Sequence, residues 1–238
     1  MCDLCSVNAT RLSRRGLVLG GAALAGMSMM APGTAWSQDT PQNAISPDAA
    51  LQRLMEGNAR YAANTSANND YSAGRAARVN AQYPIAAILS CADARVAPEL
   101  AFDQGPGDLF VVRVAGNFLN NDGLASFEYA VKYLNAPLLM VLGHSNCGAV
   151  GAAIKVIKDG ATLPGHLQDM IRDIKPAVET AEKSKPADLL SASIAENVRQ
   201  AAHRLETASP ILTDYVGSGK VKVVGAQYDL ATGKIALL

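Results

Sequence analysis

Apolar positions along the chain follow two rhythms. Three short runs are almost continuously apolar: Ile85-Ala86-Ala87-Ile88-Leu89, Leu109-Phe110-Val111-Val112-Arg113-Val114 and Leu138-Leu139-Met140-Val141-Leu142. Runs of this length without alternation predict parallel strands buried on both faces. The segments between them repeat every three or four residues. Over 47–63, Ala50, Leu51, Leu54, Met55, Asn58 and Tyr61 recur at helical spacing, with Ser46 as cap and Pro47 at the first helical position. Over 121–134, Phe127, Ala130, Val131 and Leu134 share a stripe, and 149–158, 170–183 and 186–205 also read as helices. A polar loop at 64–72 and a short helix at 73–81 precede the first strand. A fourth strand is expected at 221–228, then a turn at 229–233 and a short antiparallel edge strand at 234–238. Strands alternating with helices predict a single α/β domain. Its central sheet is mostly parallel, with four strands plus the antiparallel edge, and it is flanked by helices and an N-terminal helical arm.

The first 37 residues have a different composition. Ser13-Arg14-Arg15-Gly16-Leu17-Val18-Leu19 leads into a Gly- and Ala-rich apolar run ending at Ala31. This resembles a twin-arginine export signal. The run is about 15 residues long and broken by glycines, short of the roughly 20 that span a bilayer. Ala35-Trp36-Ser37 offers a cleavage site, with Gln38 as the mature start. The expectation is therefore that 1–37 is removed, that 38–238 forms the mature domain without a membrane span, and that the product is periplasmic or secreted. An uncleaved N-terminal anchor is the competing reading. Cys2 and Cys5 fall in the discarded segment and leave Cys91 and Cys147 in the mature protein.

Composition excludes several classes. The chain is 49% hydrophobic and 18% charged, with 21 basic and 21 acidic residues. Residues 38–238 keep 18 basic and 20 acidic residues, a net charge of −2. That balance gives no electrostatic footprint for nucleic acid, and the apolar fraction is too high for a disordered chain.

Unusual residues gather at two strand ends. Cys91-Ala92-Asp93-Ala94-Arg95 follows the first strand, and Gly143-His144-Ser145-Asn146-Cys147 follows the third. Ligands of open parallel sheets sit at the carboxyl ends of strands where connections diverge, so the two loops are expected to face each other. Cys91, His144 and Cys147 then supply two thiolates and an imidazole, a donor set suited to one zinc ion with a fourth position free. Asp93 is placed either to coordinate that position or to accept a hydrogen bond from water there, and Arg95 to hold its carboxylate. A Cys91–Cys147 disulfide beside a surface Asp93–Arg95 pair is the alternative. His166 and His203 read as surface residues.

These residues resemble those of the β-class carbonic anhydrases, which carry Cys-x-Asp-x-Arg after one strand and His-x-x-Cys after another. The likeness runs from about residue 47 to 238 and includes Gln82, Gly107-Asp108-Leu109-Phe110, Arg113, Ala115-Gly116-Asn117 and Glu128-Tyr129-Ala130. Ala94 stands where the family often has serine. Ile88 and Ser90 replace the Trp and Gly that mark bicarbonate-regulated members, so the chain looks like the unregulated kind. The resemblance implies zinc-dependent reversible hydration of carbon dioxide to bicarbonate and a proton, by attack of zinc-bound hydroxide, in a homodimer or homotetramer. It implies that Asp93 orients the attacking group, that Arg95 fixes Asp93, and that Gln82 donates to a substrate oxygen. Phe110 and Tyr129 would wall an apolar pocket, although both read equally well as packing residues. Hydrolysis of carbon disulfide or carbonyl sulfide on the same scaffold, and non-catalytic zinc binding, are the competing functions.

Overall fold

The computed structural model of the chain describes residues 42–67, 70–72 and 74–238. The segment 1–37 that reads as an export signal, with Arg14, Arg15, Cys2 and Cys5, lies outside the described residues. No helix among the described residues is long and apolar enough to cross a membrane.

Helix α1 (Pro47–Ala62) begins as expected, with the Ser46 hydroxyl accepting the Ala49 N–H and Pro47 in the first turn. It buries Ala50 and Leu54. Its Asn58 side chain donates to the carbonyls of Ala101 and Gly233 and accepts the N–H of Ile235, which ties the arm to two distant segments. The strands are β1 (Ala86–Ser90), β2 (Leu109–Arg113), β3 (Leu138–His144), β4 (Lys222–Tyr228) and β5 (Ile235–Leu237). They form one sheet in the order β2-β1-β3-β4-β5, parallel except for the antiparallel β4–β5 pair. This is the anticipated architecture, edge strand included.

Alternate residues of the sheet feed two separate cores, as the pleat requires. Ala87, Leu89, Leu139 and Val141 pack with Phe127 and Val131 of α3 (Asn121–Lys132), Val198 and Leu205 of α6 (Leu189–Glu206), and Leu212 of α7 (Ile211–Gly217). Ala86, Ile88, Leu138, Met140 and Leu142 pack with Ala50 and Leu54 of α1, and with Ala101 and Phe102 at the end of α2 (Pro98–Ala101). A third cluster lies beyond the strand ends. There α4 (Gly148–Asp159), α5 (Leu167–Lys183) and α6 bring Val150, Ile171, Ile174, Val178 and Ile194 around Cys91 and Cys147.

Two expectations need correcting. The helix at 73–81 is reduced, among the described residues, to one 3₁₀ turn at Ala77–Val79 with nothing buried. The segment has helix-forming alanines and arginines but no apolar stripe to dock, and packing rather than propensity sustains a short helix. β1 and β3 are buried throughout, whereas β2 is only partly covered. Among the described strands it is a sheet edge, hydrogen-bonded to β1 alone.

Candidate metal centre

β1 lies between β2 and β3, so the chain leaves β1 toward one edge and returns to its other side. The carboxyl ends of β1 and β3 flank that reversal, where open α/β sheets place their ligands. Cys91 directly follows β1, His144 is the last residue of β3, and Cys147 caps the N-terminus of α4. Their three donor atoms lie within 4.8 Å of one another, and all three residues are buried. Both cysteines are free thiols with their Sγ atoms 4.0 Å apart, rather than joined in a disulfide.

The donor set fits zinc. His144 Nδ1 lies 3.0 Å from the Ser145 carbonyl, which fixes the proton on that nitrogen and leaves the Nε2 lone pair available. Nε2 is fully buried without a hydrogen-bond partner, an arrangement that a metal ligand satisfies and a packing residue does not. Electrostatics agree. Donation from Cys147, its largest influence, holds the Cys91 thiol down at about 4 against the opposing effect of burial. The same proton sharing, together with burial, pushes Cys147 up, although the N–H groups of Val150 and Ala149 at the start of α4 pull the other way. For His144, burial pulls down, but the neighbouring Cys91 and Asp93 charges help to leave it raised.

Asp93 stands just outside the donor set, with Oδ2 3.8 Å from His144 Nε2. Arg95 grips it three times: its backbone N–H and Nε donate to Oδ1, both at 2.9 Å, and Nη2 donates to Oδ2 at 2.7 Å. That side-chain bonding, outweighing slight burial, keeps the Asp93 carboxyl well below the ordinary carboxylate range. Arg113 is a contributor that the sequence reading left without a role. At the end of β2, it donates through Nε to the Cys91 carbonyl at 3.0 Å and through Nη2 to the Asp93 carbonyl at 2.7 Å, clamping the loop between them. An arginine inside an otherwise apolar run was the available signal.

Gln82, Phe110 and Tyr129 are not gathered around this set. Gln82 and Tyr129 line a separate open hollow of about 580 Å³ with Arg78, Tyr83 and Tyr133, and none of the three donors borders it. Phe110 is half-buried against the α3 side of the core, its ring 6.2 Å from that of Tyr129. Tyr129 and Tyr133 are 47% and 67% exposed, with ring centroids 5.4 Å apart. His166 and His203 are on the surface, as expected.

A family model described as carbonic anhydrase matches residues 86–235. A Mycobacterium tuberculosis protein named carbonic anhydrase 2 is 38% identical over 195 residues, covering 80% of this chain and 92% of its own. The β-carbonic anhydrase of Coccomyxa solved in complex with acetazolamide aligns with a TM-score of 0.62 at 28% identity, over 79% of this chain and 86% of that one. A tetrameric β-carbonic anhydrase of Sordaria macrospora shares the fold at 21% identity and a TM-score of 0.63, over 79% and 96%.

Proposed function

The chain belongs to the carbonic anhydrase family, and from that premise we infer that its two strand-end loops form the site where carbon dioxide is reversibly hydrated to bicarbonate and a proton. One observation carries the reading most directly: a buried Cys91, His144, Cys147 set with an orphaned His144 Nε2, beside a carboxylate locked by arginine. Cys91, His144 and Cys147 would hold one zinc ion, which when bound acidifies water enough to make it a nucleophile near neutral pH.

The chain's own groups supply orientation. Asp93 stays ionised in the Arg95 grip and accepts the hydrogen bond of the attacking water, turning a lone pair toward carbon. Arg113 holds the backbone that carries both Cys91 and Asp93. Hydrocarbon from the third cluster surrounds the donors and limits access of bulk water.

Gln82, Phe110 and Tyr129 act in this reading on substrate across a pairing of two copies. Support comes from the exposure of Gln82 and Tyr129, their separation from the donors of their own chain, the contact of Phe110 with Tyr129, and the uncovered edge of β2 among the described strands. The working protein is then a homodimer or a homotetramer, and the Arg14-Arg15 segment delivers it to the periplasm or beyond. Stopped-flow hydration of carbon dioxide by the zinc-loaded chain is the test. The reading requires turnover that falls by about 10²-fold or more in Asp93→Asn with zinc retained. Zinc-replete protein without hydration activity would refute it.

A further inference from the structure

Cys91 Sγ has a neighbour beyond the other two donors. The backbone N–H of Gly116 donates to it at 3.2 Å. Gly116 lies in the turn after β2 with φ +85°, a conformation that favours glycine. A Cβ there would sit 2.6 Å from Ile174 Cδ1 and 3.1 Å from Ala149 Cβ, so α4 and α5 close over the turn. The carbonyl of the same residue accepts a hydrogen bond from Asn197 Nδ2 at 2.8 Å. A carbonyl can only accept, which fixes the amide nitrogen of Asn197 toward it. Gly116 is thus held on both sides of its Cα, by the sulfur through its N–H and by Asn197 through its C=O.

Asn197 is 4% exposed and stands on the apolar face of α6 among Ile194, Val198 and Ala201. Burying an amide there is unfavourable unless it is used, and Gly116 uses it. Helix α6 comes close enough because β3 presents Gly143 beneath it: a Cβ at Gly143 would lie 2.6 Å from Val198 Cγ2.

We propose that Asn197 is a positioning residue of the metal centre: by holding the Gly116 carbonyl it keeps the Gly116 N–H on Cys91 Sγ and so sets how much charge that sulfur offers the zinc. An N–H donated to a thiolate stabilises its charge, and groups behind a metal ligand govern its affinity. The proposal rests on Cys91 being a zinc ligand.

The test uses the full chain with Asn197→Asp, which keeps the shape but turns an oxygen toward the Gly116 carbonyl, and Asn197→Ala. Ser193→Ala, one turn away and buried with an unpartnered hydroxyl, is the control. Three readouts are compared: zinc transfer to a chromophoric chelator, the thiolate-to-cobalt charge-transfer band of the cobalt(II)-substituted protein, and the thermal midpoint. Both Asn197 variants should release zinc about tenfold or more faster than wild type and move the band to longer wavelength, while the control moves neither. A lowered midpoint with wild-type band and release rate would reduce Asn197 to packing and overturn the proposal alone. A wild-type protein without any thiolate-to-cobalt band would overturn the ligand assignment itself. Should the variants fail to fold, the ¹¹³Cd-substituted, ¹⁵N-labelled wild type decides by NMR. Scalar coupling between cadmium and the Gly116 amide proton is expected, and its absence overturns the proposal.

Discussion

Two thiols and an imidazole whose donor atoms lie within 4.8 Å of one another, with a carboxylate 3.8 Å from the imidazole, cannot all titrate independently. Within the thiol pair Cys147 donates to Cys91, which draws the Cys91 thiol down to about 4 and, together with burial, pushes Cys147 up. Zinc requires both sulfurs deprotonated and the imidazole neutral. Loading at pH 7.5 should therefore release at least one proton per zinc, from Cys147. A further fractional release should appear as pH is lowered into the range where the raised His144 is charged. Protons and zinc compete, so affinity weakens as pH falls. Titration calorimetry in buffers of different ionisation enthalpy measures the count, and zero release would contradict this assignment. Asp93 follows the opposite sign. With its carboxyl depressed by Arg95, the stability it contributes is present above the unfolded carboxylate value of about 3.9 and fades only as pH falls through the lower folded value. At this scale the sequence was legible wherever partners are near in the chain or stand at strand ends. Asp93 and Arg95 are two residues apart, and Cys91, His144 and Cys147 all follow apolar runs. Arg113 and Asn197 were illegible in those roles, because a side chain bound to a backbone carbonyl 22 or 81 residues away leaves no spacing to read.

The continuous apolar runs of β1 and β3 announced themselves because the two cores lie on opposite faces of the sheet and every residue is buried. Short elements did not. α2 and α7 have four and seven residues, too few to display a helical period. At 73–81 alanine-rich composition favoured a helix that has nothing to dock against. What no pattern reveals is how tightly elements approach. α6 rests on the backbone of β3 and β4, with Val198 over both Gly143 and Gly225, where an added Cβ would lie 2.6 Å and 2.9 Å from its methyl groups. Gly143→Ala should destabilise the protein by about 1–3 kcal/mol through overpacking, and Val198→Ala in the same chain should restore part of the loss. Thermal melting of the single and double variants checks both. Equal midpoints for the two would show that Val198 is not the obstacle.

Gln82 and Tyr129 lie away from the donors of their own chain, and β2 leaves one edge unpaired. Two copies joined on the β2 side would cover the exposed Tyr129 and Tyr133. Light scattering on the full 24.8 kDa chain at micromolar concentration should give at least twice that mass, and Tyr129→Arg should lower both the assembly mass and the hydration rate while leaving zinc content unchanged. A monomeric wild type would contradict the pairing. For delivery, replacing Arg14 and Arg15 by lysine should hold the precursor inside the cell, and normal export of that variant would refute a twin-arginine signal. Cys91 and Cys147 belong to neither face of the sheet but to the third cluster, in which α4, α5 and α6 meet. Stripping the zinc takes away a cross-brace between that helical cap and the strand ends, and leaves two close sulfurs to be solvated or protonated. Local opening should then become uneven: amide hydrogen exchange should accelerate around Val150, Ile171 and Ile174 while the centres of β1 and β3 keep their protection. Uniform acceleration would show that the molecule opens as one cooperative unit. With the predicted pattern, a chelator would work as a selective unfastener, loosening one end of the molecule and leaving the sheet closed.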